Sequence, residues 1–136
     1  MKVGYATGVF DLFHIGHLNV LKKAKEHCDF LIVGVCTDEL VQTLKSKQTV
    51  VPYSERAEIV SAIKFVDKVV PEVTTDKVEA WKTLKFDVTF KGDDWKGTEK
   101  WNKLEQEFAK HGVSVVYFPY TQHTSSTLLA SALRKL

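Results

Sequence analysis

The stretch Thr7-Gly8-Val9-Phe10-Asp11-Leu12-Phe13-His14-Ile15-Gly16-His17 joins a short apolar run to a segment with helical spacing of apolar residues, from about Ile15 to His27. His14 and His17 are three residues apart, which places both imidazoles on one face of the first helical turn. Gly16, between them, has no side chain that would keep a ligand from the backbone. A strand-to-helix turn of this kind predicts a site for a phosphate or a similar oxyanion at a helix N-terminus.

On both sides of this turn, short runs rich in Val, Ile and Phe alternate with longer amphipathic stretches. This alternation is typical of repeated strand–helix units around a parallel sheet. The later runs are nearly continuous in apolar residues, which indicates that helices cover both faces of the sheet. The sequence therefore predicts an α/β fold with a Rossmann-like, doubly wound sheet of five parallel strands. The strands are expected at Val3 to Thr7, Phe30 to Cys36, Asp67 to Pro71, Asp87 to Lys91 and Ser114 to Phe118.

Six helices are expected between and after these strands. Ser54 and Asp76 are predicted N-caps, and Gly112 suits a left-handed C-cap. Ligands of doubly wound sheets bind at the carboxyl ends of the strands, where the strand order reverses, so the strand-to-helix turns are the segments of interest. The predicted helices are Ile15 to His27, Asp38 to Leu44, Ser54 to Lys64, Asp76 to Leu84, Glu99 to Lys110, and Ser125-Ser126 to Arg134-Lys135.

Length and composition limit the possible classes of function. A chain of 136 residues with 44% apolar residues predicts a single domain, 1–136, with a real core. Its formal charge of +2 disfavours nucleic-acid binding by bulk charge. No run approaches the roughly 18 apolar residues that span a bilayer, so no membrane partner is expected. The two cysteines, Cys28 and Cys36, lie among apolar residues, which favours a reducing cytoplasm over a disulfide framework.

The first turn resembles the His-x-Gly-His signature of the nucleotidyltransferase superfamily. The fuller string from Gly8 to His17 is similar to cytidylyltransferases that act on alcohol phosphates, and the glycerol-3-phosphate cytidylyltransferases resemble the chain most closely. Similarity continues through Leu31 to Leu40, Tyr53 to Pro71 and Gly92-Asp93-Asp94-Trp95. The resemblance implies transfer of CMP from CTP to a small alcohol phosphate, with glycerol 3-phosphate the best single guess. It also implies a homodimer and a Mg²⁺ ion held mainly by the triphosphate.

The resemblance also implies roles for individual residues. His14 and His17 would donate hydrogen bonds to the oxygens of the transition state, and Lys45 and Lys47, in a polar loop, would contact the nucleotide phosphates and the acceptor phosphate. Further candidates for the acceptor phosphate are Lys77, Arg56 and Lys64. Nucleotide contacts are expected from three turns, at Gly8, Val9, Phe10, Asp11 and Gly16, at Asp93, Asp94 and Trp95, and at Tyr120, Thr121, Ser125, Ser126 and Thr127.

Alternatives remain open because Tyr120 stands where the family has an arginine, and Gln122-His123 replaces Glu-Gly. One is an adenylyltransferase that uses ATP in the same site. Another is a cytidylyltransferase for phosphocholine or phosphoethanolamine. A third, of another class, is a nucleotide-binding module without catalysis.

Overall fold

The computed structural model describes residues 1–119 and 126–135. Over this part of the chain the five predicted strands and six predicted helices are confirmed, each strand to within one residue at either end. A short 3-10 helix, Asp93–Trp95, follows the fourth strand. The elements are β1 (Val3–Gly8), α1 (Ile15–Glu26), β2 (Phe30–Cys36), α2 (Asp38–Lys45), α3 (Tyr53–Ser61), β3 (Lys68–Glu72), α4 (Lys77–Leu84), β4 (Val88–Gly92), α5 (Glu99–Ala109), β5 (Ser114–Phe118) and α6 (Ser126–Arg134).

The sheet is parallel throughout, with the strand order β3-β2-β1-β4-β5. The order therefore reverses between β1 and β4, which is the switch point of the doubly wound fold. β1 pairs with β2 along its whole length, but it pairs with β4 only at Gly4–Val88 and Tyr5–Thr89. Beyond Tyr5 the two central strands diverge. Their carboxyl ends consequently border a crevice at the edge where ligands of this fold bind.

Two apolar clusters lie on opposite faces of the sheet. On one face, Leu21 of α1 and Val60 of α3 pack against strand residues such as Val33. On the other face, Phe108 of α5 packs with Tyr5 of β1, and residues of α4 extend this cluster. The alternation of side chains along each strand sends successive residues to the two clusters. Below, these are called the α1–α3 face and the α4–α5 face.

The start of α3 differs from the sequence prediction. Ser54 is not the N-cap: Pro52 is, and the helix ends at Ser61 rather than at Lys64. Pro52 provides no side-chain cap, but the Tyr53 N–H donates to the Asp38 carboxylate at 3.0 Å. The Tyr53 N–H has no acceptor within its own helix, so its hydrogen-bond acceptor comes from α2. Asp76 is confirmed as the N-cap of α4, where it accepts hydrogen bonds from Val78 N and Glu79 N.

Candidate active site

The two histidines form a reciprocal cap at the start of α1. His14 is the N-cap residue, and its Nδ1 accepts a hydrogen bond from Gly16 N at 3.0 Å. In return, His17 Nδ1 accepts a hydrogen bond from His14 N at 3.2 Å. The two imidazole rings stack, with centroids 3.9 Å apart. The Gly16 N–H, which the sequence suggested would face a ligand, is thus used to hold His14 in place.

This cap fixes the tautomer of both histidines. A neutral imidazole whose Nδ1 accepts a hydrogen bond carries its proton on Nε2. Burial lowers the pKa of His14, and burial together with the nearby His14 lowers the pKa of His17 to about 4, with a smaller opposing effect from Asp11. Both rings are therefore neutral near pH 7, and each has an Nε2–H that can donate to an oxyanion without carrying a full charge.

The turn that leads into this cap adopts an unusual backbone conformation. Phe10 and Leu12 have positive φ angles of 55° and 50°, a region that residues with side chains seldom adopt. Phe10 is buried, and its ring lies so close to Gly8 that a Cβ at Gly8 would be 2.9 Å from Phe10 Cζ. Strained backbone of this kind is concentrated at ligand-binding turns, where packing holds it in place.

Asp11 joins this turn to the polar loop that follows α2. Its two carboxylate oxygens accept hydrogen bonds from Val50 N and Val51 N, each at 2.9 Å. The loop borders a cavity of about 340 Å³ at the end of β1, and Thr7, His17, Lys45 and Lys47 are among its lining residues. The structure thus brings both predicted lysines to the same cavity as one of the predicted histidines. The contact of Asp11 with a nucleotide stays a prediction.

Arg56 lies beneath this cavity and is almost fully buried, with 1% of its surface exposed. Its guanidinium donates to Val9 O at 2.7 Å, to Cys36 O and Val51 O at 2.8 Å, and to Asp38 Oδ1 at 2.5 Å. These acceptors belong to the turn after β1, the end of β2, the polar loop and α2. The geometry therefore favours a structural role for Arg56 over the predicted contact with an acceptor phosphate.

The carboxylate of Asp38 is the charged partner of this arginine. Burial favours its neutral form, but hydrogen bonds from the Tyr53 N–H and the Arg56 guanidinium outweigh that effect and hold the pKa of Asp38 below its usual value. Asp38 also accepts from the Thr49 hydroxyl at 3.1 Å. The ionised pair thus ties the loop to α2 and α3 at neutral pH.

The other two candidates for the acceptor phosphate differ in position. Lys77, the first residue of α4, is buried at the carboxyl edge of the sheet, where Nζ donates to Thr7 Oγ1 at 2.6 Å and to Glu72 Oε2 at 2.9 Å. Lys64 is exposed and lies between α3 and the start of β3. Since the strands are parallel, the start of β3 is at the edge opposite His17. Lys77 is thus near the candidate site, whereas Lys64 is in the segment that enters the opposite edge.

The remaining predicted nucleotide contacts follow β4 and β5. Asp93, Asp94 and Trp95 form the exposed 3-10 helix at the end of β4. A second cavity, of about 200 Å³, lies between the ends of β1 and β4, and among the described residues its lining includes Gly92 but not these three. Tyr120, Thr121 and Ser125 lie outside the described residues. Ser126 and Thr127 are in the first turn of α6.

Two basic residues near these cavities were missed by the interpretation of the sequence. Arg134, in the last turn of α6, lines the first cavity together with Lys45 and Lys47. Lys91, in β4, lines the second cavity together with Thr7. A possible signal for Lys91 was its position as a lysine at the end of the apolar run Val88-Thr89-Phe90. Arg134 gave no such signal, because a cation in the last turn of a helix is expected for the helix dipole alone.

Within 1–119 and 126–135, no group of three or more His, Cys, Asp or Glu side chains is placed to hold a metal ion. The same residues contain no helix that is long and apolar enough to cross a membrane.

The fold and the site together define a parallel α/β protein with a histidine-capped turn at the switch point of its sheet. The sequence model of the cytidylyltransferase-like family matches residues 5–133. The chain belongs to this family.

Similar proteins support this assignment over the full length. The chain is 35% identical to a protein of Bacillus spizizenii named glycerol-3-phosphate cytidylyltransferase, and the alignment covers 100% of both. It is 34% identical to a protein of Thermococcus kodakarensis named FAD synthase, over 95% of this chain and 87% of that one. Among solved structures, it resembles a lipopolysaccharide core biosynthesis protein from Thermoplasma volcanium with a TM-score of 0.73 and 28% identity, over 91% of this chain and 99% of that one.

The reciprocal cap can be tested by NMR of the histidine side chains. Long-range ¹H–¹⁵N spectra at pH 7 are expected to show His14 and His17 protonated at Nε2 only. On acidification, His17 is expected to titrate near pH 4. Because its pKa is lower in the folded than in the unfolded chain, stability is expected to fall as the pH drops from about 6.5 to about 4. A proton on Nδ1 of either ring at pH 7 would contradict the cap.

The structural role of Arg56 can be tested by Arg56→Lys. A single ammonium group cannot reach Val9 O, Cys36 O, Val51 O and Asp38 Oδ1 at once, so buried acceptors lose their partner. We expect the free energy of unfolding, measured by urea denaturation, to fall by about 2–4 kcal/mol. The matched control is Lys82→Met, because Lys82 is an exposed lysine paired with Glu79 on the surface of α4. An unchanged unfolding midpoint for Arg56→Lys would instead favour the predicted contact with substrate.

Proposed function

We propose that this protein transfers CMP from CTP to a small alcohol phosphate, with glycerol 3-phosphate the best candidate, and releases pyrophosphate. The full-length similarity to a protein named glycerol-3-phosphate cytidylyltransferase supports the choice of substrates. The observation that carries the chemistry is the reciprocal cap, which directs the protons of two neutral histidines to Nε2, and one of them, His17, lines the same cavity as Lys45 and Lys47.

The proposed reaction needs no general base. A phosphomonoester has a second pKa near 6, so it is already charged at neutral pH and offers a nucleophilic oxygen. That oxygen forms a bond to the α-phosphorus of CTP. The bond from the α-phosphorus to the bridging oxygen breaks, and pyrophosphate leaves with the electron pair. What the protein must supply is position and stabilisation of negative charge, which is the usual basis of phosphoryl transfer.

In this proposal, the histidine cap and the two lysines of the first cavity divide these tasks. His14 and His17 donate Nε2–H to oxygens at the α-phosphorus and the breaking bridge, where negative charge grows in the transition state. Lys45 and Lys47 neutralise phosphate charge, Lys45 on the nucleotide and Lys47 on the acceptor. Asp11 holds the loop that begins after Lys45 and contains Lys47 beside the histidine turn, through hydrogen bonds from Val50 N and Val51 N.

Magnesium is part of the proposal only as an ion held mainly by the triphosphate. Mg²⁺ keeps several waters and is often bound by substrate phosphates with few protein ligands. When bound, it would neutralise charge on the phosphates. A homodimer likewise remains a prediction from the resemblance.

The protein named FAD synthase supports a second candidate, an adenylyltransferase that uses ATP. FAD contains an AMP unit, and this relative is almost as similar to the chain as the first one. The fold and the histidine cap would serve either nucleotide equally, because they address the phosphates rather than the base.

The proposal is tested by pyrophosphate release with each of the four nucleoside triphosphates against glycerol 3-phosphate, phosphocholine and phosphoethanolamine. We expect release with CTP and glycerol 3-phosphate. His14→Asn should retain the helix cap, since asparagine is among the best N-cap residues, but it lacks the Nε2–H donor. Its kcat/KM should therefore fall about 10²- to 10³-fold while its melting temperature changes little.

The control for this variant is the same assay on Lys82→Met, whose exposed side chain is on α4 and outside both cavities. Release with ATP in place of CTP would support the adenylyltransferase. Binding of CTP without pyrophosphate release from any pair would support a non-catalytic module. Full activity of His14→Asn would rule out the proposed role of the histidine pair.

A further inference from the structure

Arg134, the last residue of α6, lines the first cavity. Ala130, four residues earlier in the same helix, lines it as well. Residues four apart lie on one face of a helix, so this face of α6 is turned towards the cavity. Val20 of α1 and Val41 of α2 also line it. The cavity is therefore bordered by α1, α2 and α6 as well as by the end of β1, and α6 brings a guanidinium to it.

A position in the last turn of a helix does not by itself explain where Arg134 is placed. A cation there interacts favourably with the helix dipole whether or not its side chain faces a cavity. Lys135, the next residue, supplies a cation at the same helix end, but it does not line either cavity. The placement of Arg134 at the cavity thus goes beyond what the helix dipole requires.

The charges that line the first cavity do not balance. Arg134, Lys45 and Lys47 are cations, whereas Asp11 is the single carboxylate among the described residues of the lining. Within 1–119 and 126–135, none of the three cations has a carboxylate within ion-pair distance. The cavity therefore has an excess of positive charge, which favours an anionic ligand.

The position of His17 indicates which anion Arg134 would contact. In the proposed reaction the histidine pair donates to the bridging oxygen that breaks, and the two phosphates beyond this oxygen leave as pyrophosphate. Since His17 and Arg134 line the same cavity, the leaving phosphates would lie beside the guanidinium. Pyrophosphate gains negative charge as the bond breaks. A guanidinium suits it because its planar fork can bind two phosphate oxygens at once, which the ammonium of Lys45 cannot do in the same way.

We propose that Arg134 binds the β- and γ-phosphates of the nucleoside triphosphate and holds the pyrophosphate that leaves. This inference rests on the proposed function for the reaction, but it applies to CTP and ATP alike, because both have the same triphosphate. Lys45 at the end of α2 and Arg134 at the end of α6 would then hold the triphosphate from two elements. Arg134 contacts only the phosphates that leave, so it contributes to the binding of a nucleoside triphosphate and not to that of a nucleoside monophosphate.

The test is calorimetric binding of inorganic pyrophosphate, CTP, ATP and CMP, at a fixed concentration of Mg²⁺, to the wild type, Arg134→Met and Arg134→Lys. Methionine keeps much of the aliphatic stem and removes the charge and the donors. In Arg134→Met we expect the Kd of pyrophosphate, and of the triphosphate that the wild type binds, to rise about tenfold, with the Kd of CMP unchanged. Arg134→Lys is expected to lose less affinity, because it keeps the charge without the fork.

The matched control is Lys135→Met. It removes one positive charge from the same end of α6, at an exposed residue that does not line the cavity. Both methionine variants lose a favourable interaction with the helix dipole, so we expect them to have similar melting temperatures. Only Arg134→Met is expected to bind pyrophosphate more weakly than the wild type.

Each outcome decides the inference. An unchanged Kd of pyrophosphate in Arg134→Met would overturn it, and so would an equal loss in Lys135→Met, which would show a general charge effect. An equal loss of CMP binding in Arg134→Met would overturn it, because CMP lacks the phosphates assigned to Arg134. A wild type that binds none of pyrophosphate, CTP and ATP would also overturn it.

Failure of the proposed function gives a different result. Pyrophosphate release is measured separately from binding, with each pair of substrates. A wild type that binds pyrophosphate through Arg134 but releases none from any pair would contradict the proposed function while supporting a pyrophosphate site at Arg134. Release by the wild type, with unchanged pyrophosphate binding in Arg134→Met, would support the function and overturn the inference.

Discussion

The candidate active site depends on one buried guanidinium. Arg56 accounts for the relative positions of the turn after β1, the end of β2 and the polar loop, because it donates to a carbonyl from each of them and to Asp38. Burial of a cation is unfavourable unless every donor is paired, so these segments cannot separate without a large loss of free energy. The same pairing, together with the hydrogen bonds to Asp11, holds the loop beside the turn, so that Lys45 and Lys47 line the same cavity as His17.

The sequence was sufficient to predict the fold because each element is specified locally. The strands are continuous apolar runs, and Asp76 caps its own helix through Val78 N and Glu79 N, two and three residues further along. The start of α3 was missed because its satisfying acceptor is Asp38, which is fifteen residues away from Tyr53. A capping interaction of that range leaves no local pattern. Helix ends are therefore predictable where the cap is local and are not predictable where another element supplies it.

The site shows the same division between local and distant contacts. His14 and His17 were recognisable because both the motif and the reciprocal cap fall within a single helical turn. Arg56 and Lys77 were recognisable as cations near the site, but their hydrogen-bond partners come from other elements and could not be predicted. Those partners favour a structural role for Arg56 and pair Lys77 with Glu72. Lys91 was not recognised as a residue near the cavities, because its position depends on the divergence of β1 and β4, and the indole of Trp101 beside it comes from α5.

The combination of neutral histidines and charged lysines at the first cavity bears on how the proposed reaction would be catalysed. Neutral histidines hydrogen-bond to an oxyanion more strongly as its charge grows, so they favour the transition state over the bound substrate. Lysines attract the phosphates in both states and mainly assist binding. In the proposed reaction, the neutral histidines therefore mainly lower the energy of the transition state, whereas the lysines mainly strengthen the binding of the two anionic substrates. In a chain with a formal charge of only +2, this arrangement depends on where the cations are placed and not on how many there are.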